Sequence, residues 1–165
     1  MPEKATVERA RRDKRQGKAP STQAGEFVRE EIHHVREGKH GARSTKQAIA
    51  IGLSKARRAG VKLGTPKNAS AATRRSAKAA SRAGRKRAKP SRRRSQAMLS
   101  RLKREGRAAA SSKALARQAR SAAKRRTRAS RRAAAKRAAR TKGPVVRRRA
   151  AKKAARTRRR HEATA

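Results

Sequence analysis

Only two acids, Glu105 and Glu162, lie between residues 65 and 165, while 38 of the chain's 54 Lys and Arg residues fall there. The stretch carries a formal charge of +36. The 64 residues before it, with 16 basic and 7 acidic side chains, carry +9. No fold of residues 65–165 can neutralise that excess internally, so its cations must face solvent or a polyanion. A core has little to draw on there. Only Met98, Leu99, Leu102, Leu115, Val145 and Val146 are apolar and larger than Ala.

The basic residues are spaced rather than massed. The longest runs are three residues, as at 92–94, 124–126 and 158–160, separated by Ala, Ser and Thr. Ala and Arg favour helix, whereas like charges at i,i+4 oppose it. Residues 107–142 contain neither Gly nor Pro. Within them Ser112, Ala116, Ala119, Ala123, Thr127, Ser130, Ala134, Ala138 and Thr141 recur at steps of three and four. One position along, Lys113, Arg117, Arg120, Lys124, Arg128 and Arg131 repeat at the same period. The spacing predicts one helix of roughly 54 Å with a basic rail along it. Charge repulsion is expected to leave it largely disordered until phosphates bind. Candidate phosphate contacts are that rail together with Arg125, Arg126, Arg132, Lys136, Arg137, Arg140, Arg147, Arg148, Arg149, Arg158, Arg159 and Arg160. Pro90, Gly106 and the pair Gly143-Pro144 are expected to divide the tail.

Residues 1–64 read as a small helical domain. Residues 2–16 suit a short helix, with Glu3 at its positive end and Gly17 beyond its last turn. Residues 17–20 read as a connector. Val28, Ile32 and Val35, with Phe27 alongside, then give residues 24–37 one apolar face, opposed by Glu26, Arg29, Glu30, His33 and Glu37. Ser44-Thr45-Lys46-Gln47 fits a capping box, opening a helix with Ile49, Leu53 and Ala56 on one face and Gly60 at its end. The prediction is a helical hairpin whose core lies wholly within these 64 residues. Its ten larger apolar side chains are Val7, Phe27, Val28, Ile32, Val35, Ile49, Ile51, Leu53, Val61 and Leu63. They are barely enough, and homo-oligomerisation through the hairpin would supply the missing burial. Met98, Leu99 and Leu102 make a small apolar patch that could dock on the hairpin, but they read most simply as a locally amphipathic turn without a partner.

Much chemistry is excluded. The chain has no Cys, so disulfides and thiolate metal sites are out. His33, His34, Glu37 and His40 invite a metal reading. However, His33–Glu37 and Glu30–His34 are ordinary i,i+4 helix pairs, so no metal or other cofactor is expected. The acids show no catalytic pairing and no serine has a His/Asp relay, so the chain is not expected to be an enzyme. With Phe27 the only aromatic, stacking on unpaired bases is not expected either. No apolar run reaches a membrane span, and the N-terminus lacks a signal-peptide pattern. A cytoplasmic protein with no membrane partner is the expectation.

Residues 65–165 resemble the Ala/Lys/Arg-rich regions of bacterial histone H1-like proteins. Arg dominates over Lys here, and the regular AAKK-type repeats of some such proteins are missing. The segments STQAGEFVREE, VREGKHG and STKQAIAIGLSKARRAG are similar to a family of short basic bacterial proteins of uncharacterised function. The resemblance implies a bacterial, nucleoid-associated protein.

These readings combine into an all-α chain: a hairpin domain over 1–64 and a basic, conditionally helical tail over 65–165. Its expected partner is double-stranded DNA, bound without sequence readout and compacted. RNA or a ribosome is the alternative partner. A third reading makes the hairpin a protein-interaction module that the tail only anchors.

Overall fold

A computed structural model of the chain describes residues 2–66, 69–86 and 91–163. Those residues form α-helices α1 (Lys4–Arg15), α2 (Pro20–Arg36), α3 (Thr45–Arg58), α4 (Ala71–Arg85), α5 (Arg92–Lys103), α6 (Ser112–Lys124) and α7 (Arg128–Glu162). A 3-10 turn at Ala108–Ala110 precedes α6, and no strand occurs among the described residues. The chain divides into two compact units, residues 1–120 and 121–165.

The all-helical expectation holds, but the largely disordered tail does not. Helices cover most of the described residues beyond 70. Like-charge pairs at i,i+4 cost only about 0.2–0.5 kcal/mol each, and the interspersed alanines have the best helix propensity of any residue. The single 54 Å helix is also corrected, because residues 107–142 fall into a 3-10 turn, α6 and the start of α7. Two hydroxyls set those starts. Ser111 Oγ accepts from the Ala114 amide at 3.2 Å, and Thr127 Oγ1 accepts from the Ser130 amide at 3.1 Å. A hydroxyl that caps a helix start offers the backbone an alternative to continuing the previous one.

In the first unit α2 is the central helix, packed against α1 on one side and α3 on another, with α4 lying on α3. Its N-terminal half builds a cluster of Ala10, Ala24, Phe27 and Ala56, flanked by Val7, Leu53, Val61 and Leu63. Its C-terminal half builds a second cluster of Ile32, Val35, Ala42, Ala48, Ala109 and Ala110, flanked by Val28 and Leu115. The helix begins earlier than the sequence predicts, with Pro20 in its first turn instead of in a connector. Proline's missing amide costs nothing at that position.

The predicted end of α3 forms as a Schellman motif. Val61 N–H donates to Ala56 O at 3.0 Å and Gly60 N–H to Arg57 O at 3.1 Å, with Gly60 at φ 89°. At its start the Ser44 hydroxyl accepts from the Gln47 amide, as predicted. The Gln47 side chain reaches back to the amide of Arg43 at 2.9 Å, one residue beyond the expected partner.

The buried stripe of α3 differs from the one the larger apolar residues suggest. Thr45, Ala48, Gly52 and Ala56 are the buried positions, while Ile49, Ile51 and Leu53 are half-buried on the flanks. A Cβ on Gly52 would lie 2.7 Å from Val28 Cα, so α2 and α3 approach backbone to backbone. Small residues permit that approach, and larger ones would prevent it.

The core is not confined to residues 1–64. Gly41 N–H donates to Leu102 O at 2.9 Å and Ala42 N–H to Gly106 O at 3.0 Å. Thr45 Oγ1–H donates to Ala109 O at 2.7 Å and Arg36 Nε–H to Ala110 O at 2.9 Å. Leu102 is buried, so the segment expected to lack a partner docks, although Met98 and Leu99 stay exposed. The burial that self-association was expected to supply comes in part from residues 102–115 of the same chain.

In the second unit α7 is interrupted at Gly143, whose φ of 65° and ψ of 169° are non-helical, followed by Pro144. The expected break at Gly143-Pro144 is therefore present. Gly106 likewise falls between helices, and Pro90 lies outside the described residues.

Candidate nucleic-acid interface

The candidate interface lies on helices that have almost no anion of their own. Residues 121–165 contain 19 Lys and Arg residues and one acid, Glu162. On α6, Lys113, Arg117, Arg120 and Lys124 follow at i, i+4, i+7 and i+11, which places them on one face, and all four are exposed. On the first part of α7, Arg128, Arg132, Lys136 and Arg140 recur every four residues and are exposed. Arg131 and Arg137 flank that row, one on each edge. Ser130, Ala134 and Ala138 occupy the side away from the row; the side chain of Thr141 is outside the described residues.

Arg125 and Arg126 sit in the turn between α6 and α7, exposed. The Arg125 guanidinium donates to Ser121 O at 3.4 Å and to Ser121 Oγ at 3.2 Å. After Gly143, Arg147, Arg148, Arg149, Arg158, Arg159 and Arg160 are exposed and spread around the helix axis instead of lining one face. All eighteen candidate contacts are therefore exposed, but the single rail becomes separate patches on α6, the start of α7 and its end. Exposed guanidinium groups on a helix can grip phosphate oxygens in pairs.

The anions concentrate at the other end of the chain. Glu26 pairs with Arg9 at 2.7 Å and Arg29 at 2.8 Å, and Asp13 with Lys18 at 2.7 Å. Lys39 bridges Glu37 at 3.1 Å and Glu3 at 3.4 Å. Hydrogen bonds from His34 and then Lys39 hold the Glu3 carboxyl below its ordinary range, and those from Lys39 and then His33 do the same for Glu37. Lys39 is raised in turn, chiefly by its bond to Glu37. Glu3, Asp13, Glu26 and Glu37 are thus each paired with a base within the first unit.

The histidines sort differently from the sequence reading. His33 and Glu37 are an exposed pair at 3.4 Å. His34 and His40 instead meet edge to face, with ring centroids 6.1 Å apart, and Glu31 joins them. Glu30 and Glu31, the first of them assigned by periodicity to the polar face, are both buried. Lys55 reaches them from α3, at 3.3 Å from Glu30 and 2.7 Å from Glu31. Periodicity missed this because a central helix has more than one buried side. The sequence carried no separate signal for it, since Lys55 is distinguished only by its half-buried place on α3.

Among the described residues no helix is long and apolar enough to cross a membrane. No curated protein and no solved structure matches the chain, and the comparisons lend no support to the histone H1-like resemblance of residues 65–165. Residues 13–68 match a family of unknown function (DUF6496), so the N-terminal helices are similar to a group whose activity is itself undefined, in keeping with the resemblance read from their motifs.

Proposed function

We propose that the chain binds nucleic acid without reading its sequence, through the exposed Lys and Arg of α6 and α7, and that it compacts duplex DNA in the bacterial nucleoid. The observation that carries the reading is the exposure of basic side chains at helical spacing on elements holding a single acid. A solvated face or a localisation signal needs five or six such residues, not 19 in 45. Aromatic stacking groups are missing from this region, which favours phosphate contacts over unpaired bases.

The test is the salt dependence of binding, measured by fluorescence anisotropy with AT-rich and GC-rich duplexes. Each neutralised phosphate contributes about −0.9 to the slope of log K against log salt, so replacing Arg128, Arg132 and Lys136 with Gln should flatten it by about three units. The loss should be equal for both duplexes. A loss confined to one sequence would mean base readout, and an unchanged slope would remove α7 from the interface. Competition with structured RNA decides the polymer, since tighter binding to RNA would reassign the chain to an RNA or ribosome.

A further inference from the structure

We propose that Glu31, His34 and His40 form a binding site for one divalent transition-metal ion of the zinc type. One ligand atom from each lies within 4.8 Å of the other two. Glu31 is fully buried, His40 is 9% exposed and the His34 side chain 13%. Two neighbours around such an ion, bound at about 2.0–2.2 Å, stand about 3.3 Å apart, so movements of the order of 1 Å close the set.

The local hydrogen bonding argues for an ion. His40 Nδ1 lies 3.0 Å from the carbonyl oxygen of Gly41, which can only accept, so Nδ1 carries the proton. Nε2 then faces Glu31 Oε1 at 3.3 Å. With a neutral ring this contact sets two lone pairs against each other, and only a second proton or a cation resolves it. Neither oxygen of Glu31 has a hydrogen-bond partner, although no part of the residue is exposed. A buried carboxylate left this way is costly.

Lys55 Nζ is 2.7 Å from Glu31 Oε2, close enough to lower the charge cost but off the hydrogen-bonding direction. It also has Glu30 Oε1 at 3.3 Å, so it keeps an anion if Glu31 turns toward a metal. Glu31 and His34 are three residues apart on α2, the spacing by which a carboxylate and an imidazole on one helix reach a common ion. His34 Nε2 contacts Glu3 Oε1 at 2.9 Å, a carboxylate that orients the ring. Two imidazoles and a carboxylate suit Zn2+, Co2+ or Ni2+ over Ca2+ or Mg2+.

The test uses the full chain, freed of nucleic acid in high salt and titrated with zinc chloride. Calorimetry should find one saturable site per chain, and thermal unfolding should shift upward with zinc. NMR of the wild type should show the ring signals of His34 and His40 moving while those of His33 stay. Glu31→Gln and His34→Gln should each weaken zinc at least about tenfold, and His33→Gln should leave it unchanged. Absence of saturable zinc binding by the wild type would overturn the site and leave a proton as the group between His40 and Glu31. Zinc that moves the His33 signals instead, or that is lost in His33→Gln, would overturn it equally.

Discussion

Two glycines within packed helices should respond to the same substitution with opposite signs. Gly52 lies on α3 where a Cβ would meet Val28 Cα at 2.7 Å and Phe27 O and Val28 N at 3.0 Å. All three are backbone atoms that cannot rotate away, and carbons pack at about 3.5–4.0 Å. Gly52→Ala must therefore part α2 and α3 by close to 1 Å, thinning the contacts of Phe27, Ala48 and Ala56. Overpacking of this kind costs about 1–3 kcal/mol, and the immovable neighbours put it in the upper half. Alanine returns about 1 kcal/mol through helix propensity, leaving a net loss of about 1–2 kcal/mol. Gly25 on α2 is exposed with nothing within 4 Å of its would-be Cβ. Gly25→Ala should therefore gain about 0.5–1 kcal/mol. Thermal unfolding of the full chain by far-UV circular dichroism, with urea titration as a check, reads both. At about 4 °C per kcal/mol for a unit of this size, the two variants should melt on either side of the wild type. If Gly52→Ala stabilises as much as Gly25→Ala, the backbone-to-backbone approach of α2 and α3 is wrong.

Thr45→Val keeps the shape of the side chain while removing the bond to Ala109 O, leaving that carbonyl short of a donor. It should lower stability by about 1–3 kcal/mol in urea unfolding, and no change would mean that residues 108–110 do not dock on α3. Stability should also fall as acid reaches Glu3 and Glu37. Their folded values are lowered, so their contribution is present above the ordinary value of 4.5 and is lost as pH drops through the lower folded values. In Lys39→Gln that acid-dependent loss should shrink, measured as melting temperature against pH. A gap between variant and wild type that stays constant below pH 4.5 would refute the pairing.

The sequence made some of this legible and hid the rest for identifiable reasons. Helix ends could be read because capping is local: Ser44 with Gln47 and Gly60 with Val61 act within a few residues. The basic surfaces could be read because no acid was available to pair with them. The α3 stripe was hidden because Ala48, Gly52 and Ala56 carry no hydrophobic signal, although their smallness is what lets the helices close. The docking of Ala109 and Ala110 was hidden because it depends on carbonyl groups, which every residue has. The grouping of Glu31 with His34 and His40 depended on knowing that α2 is surrounded, which no single-helix periodicity reveals.

The bonds from Gly41, Ala42 and Thr45 to residues 102–109 also set an order of events during synthesis. Residues 1–64 emerge with α1, α2 and α3 complete, yet the turn before α3 gains these partners only from Leu102 onward, and Arg36 on α2 gains its bond only once Ala110 has been made. At roughly 5–20 residues per second, the 46 residues in between take on the order of 2–9 s. Closing that loop then costs chain entropy that grows only slowly with its length. Throughout that interval the early helices stand without their last layer. The first unit is finished only after a good part of the basic chain has already left the ribosome.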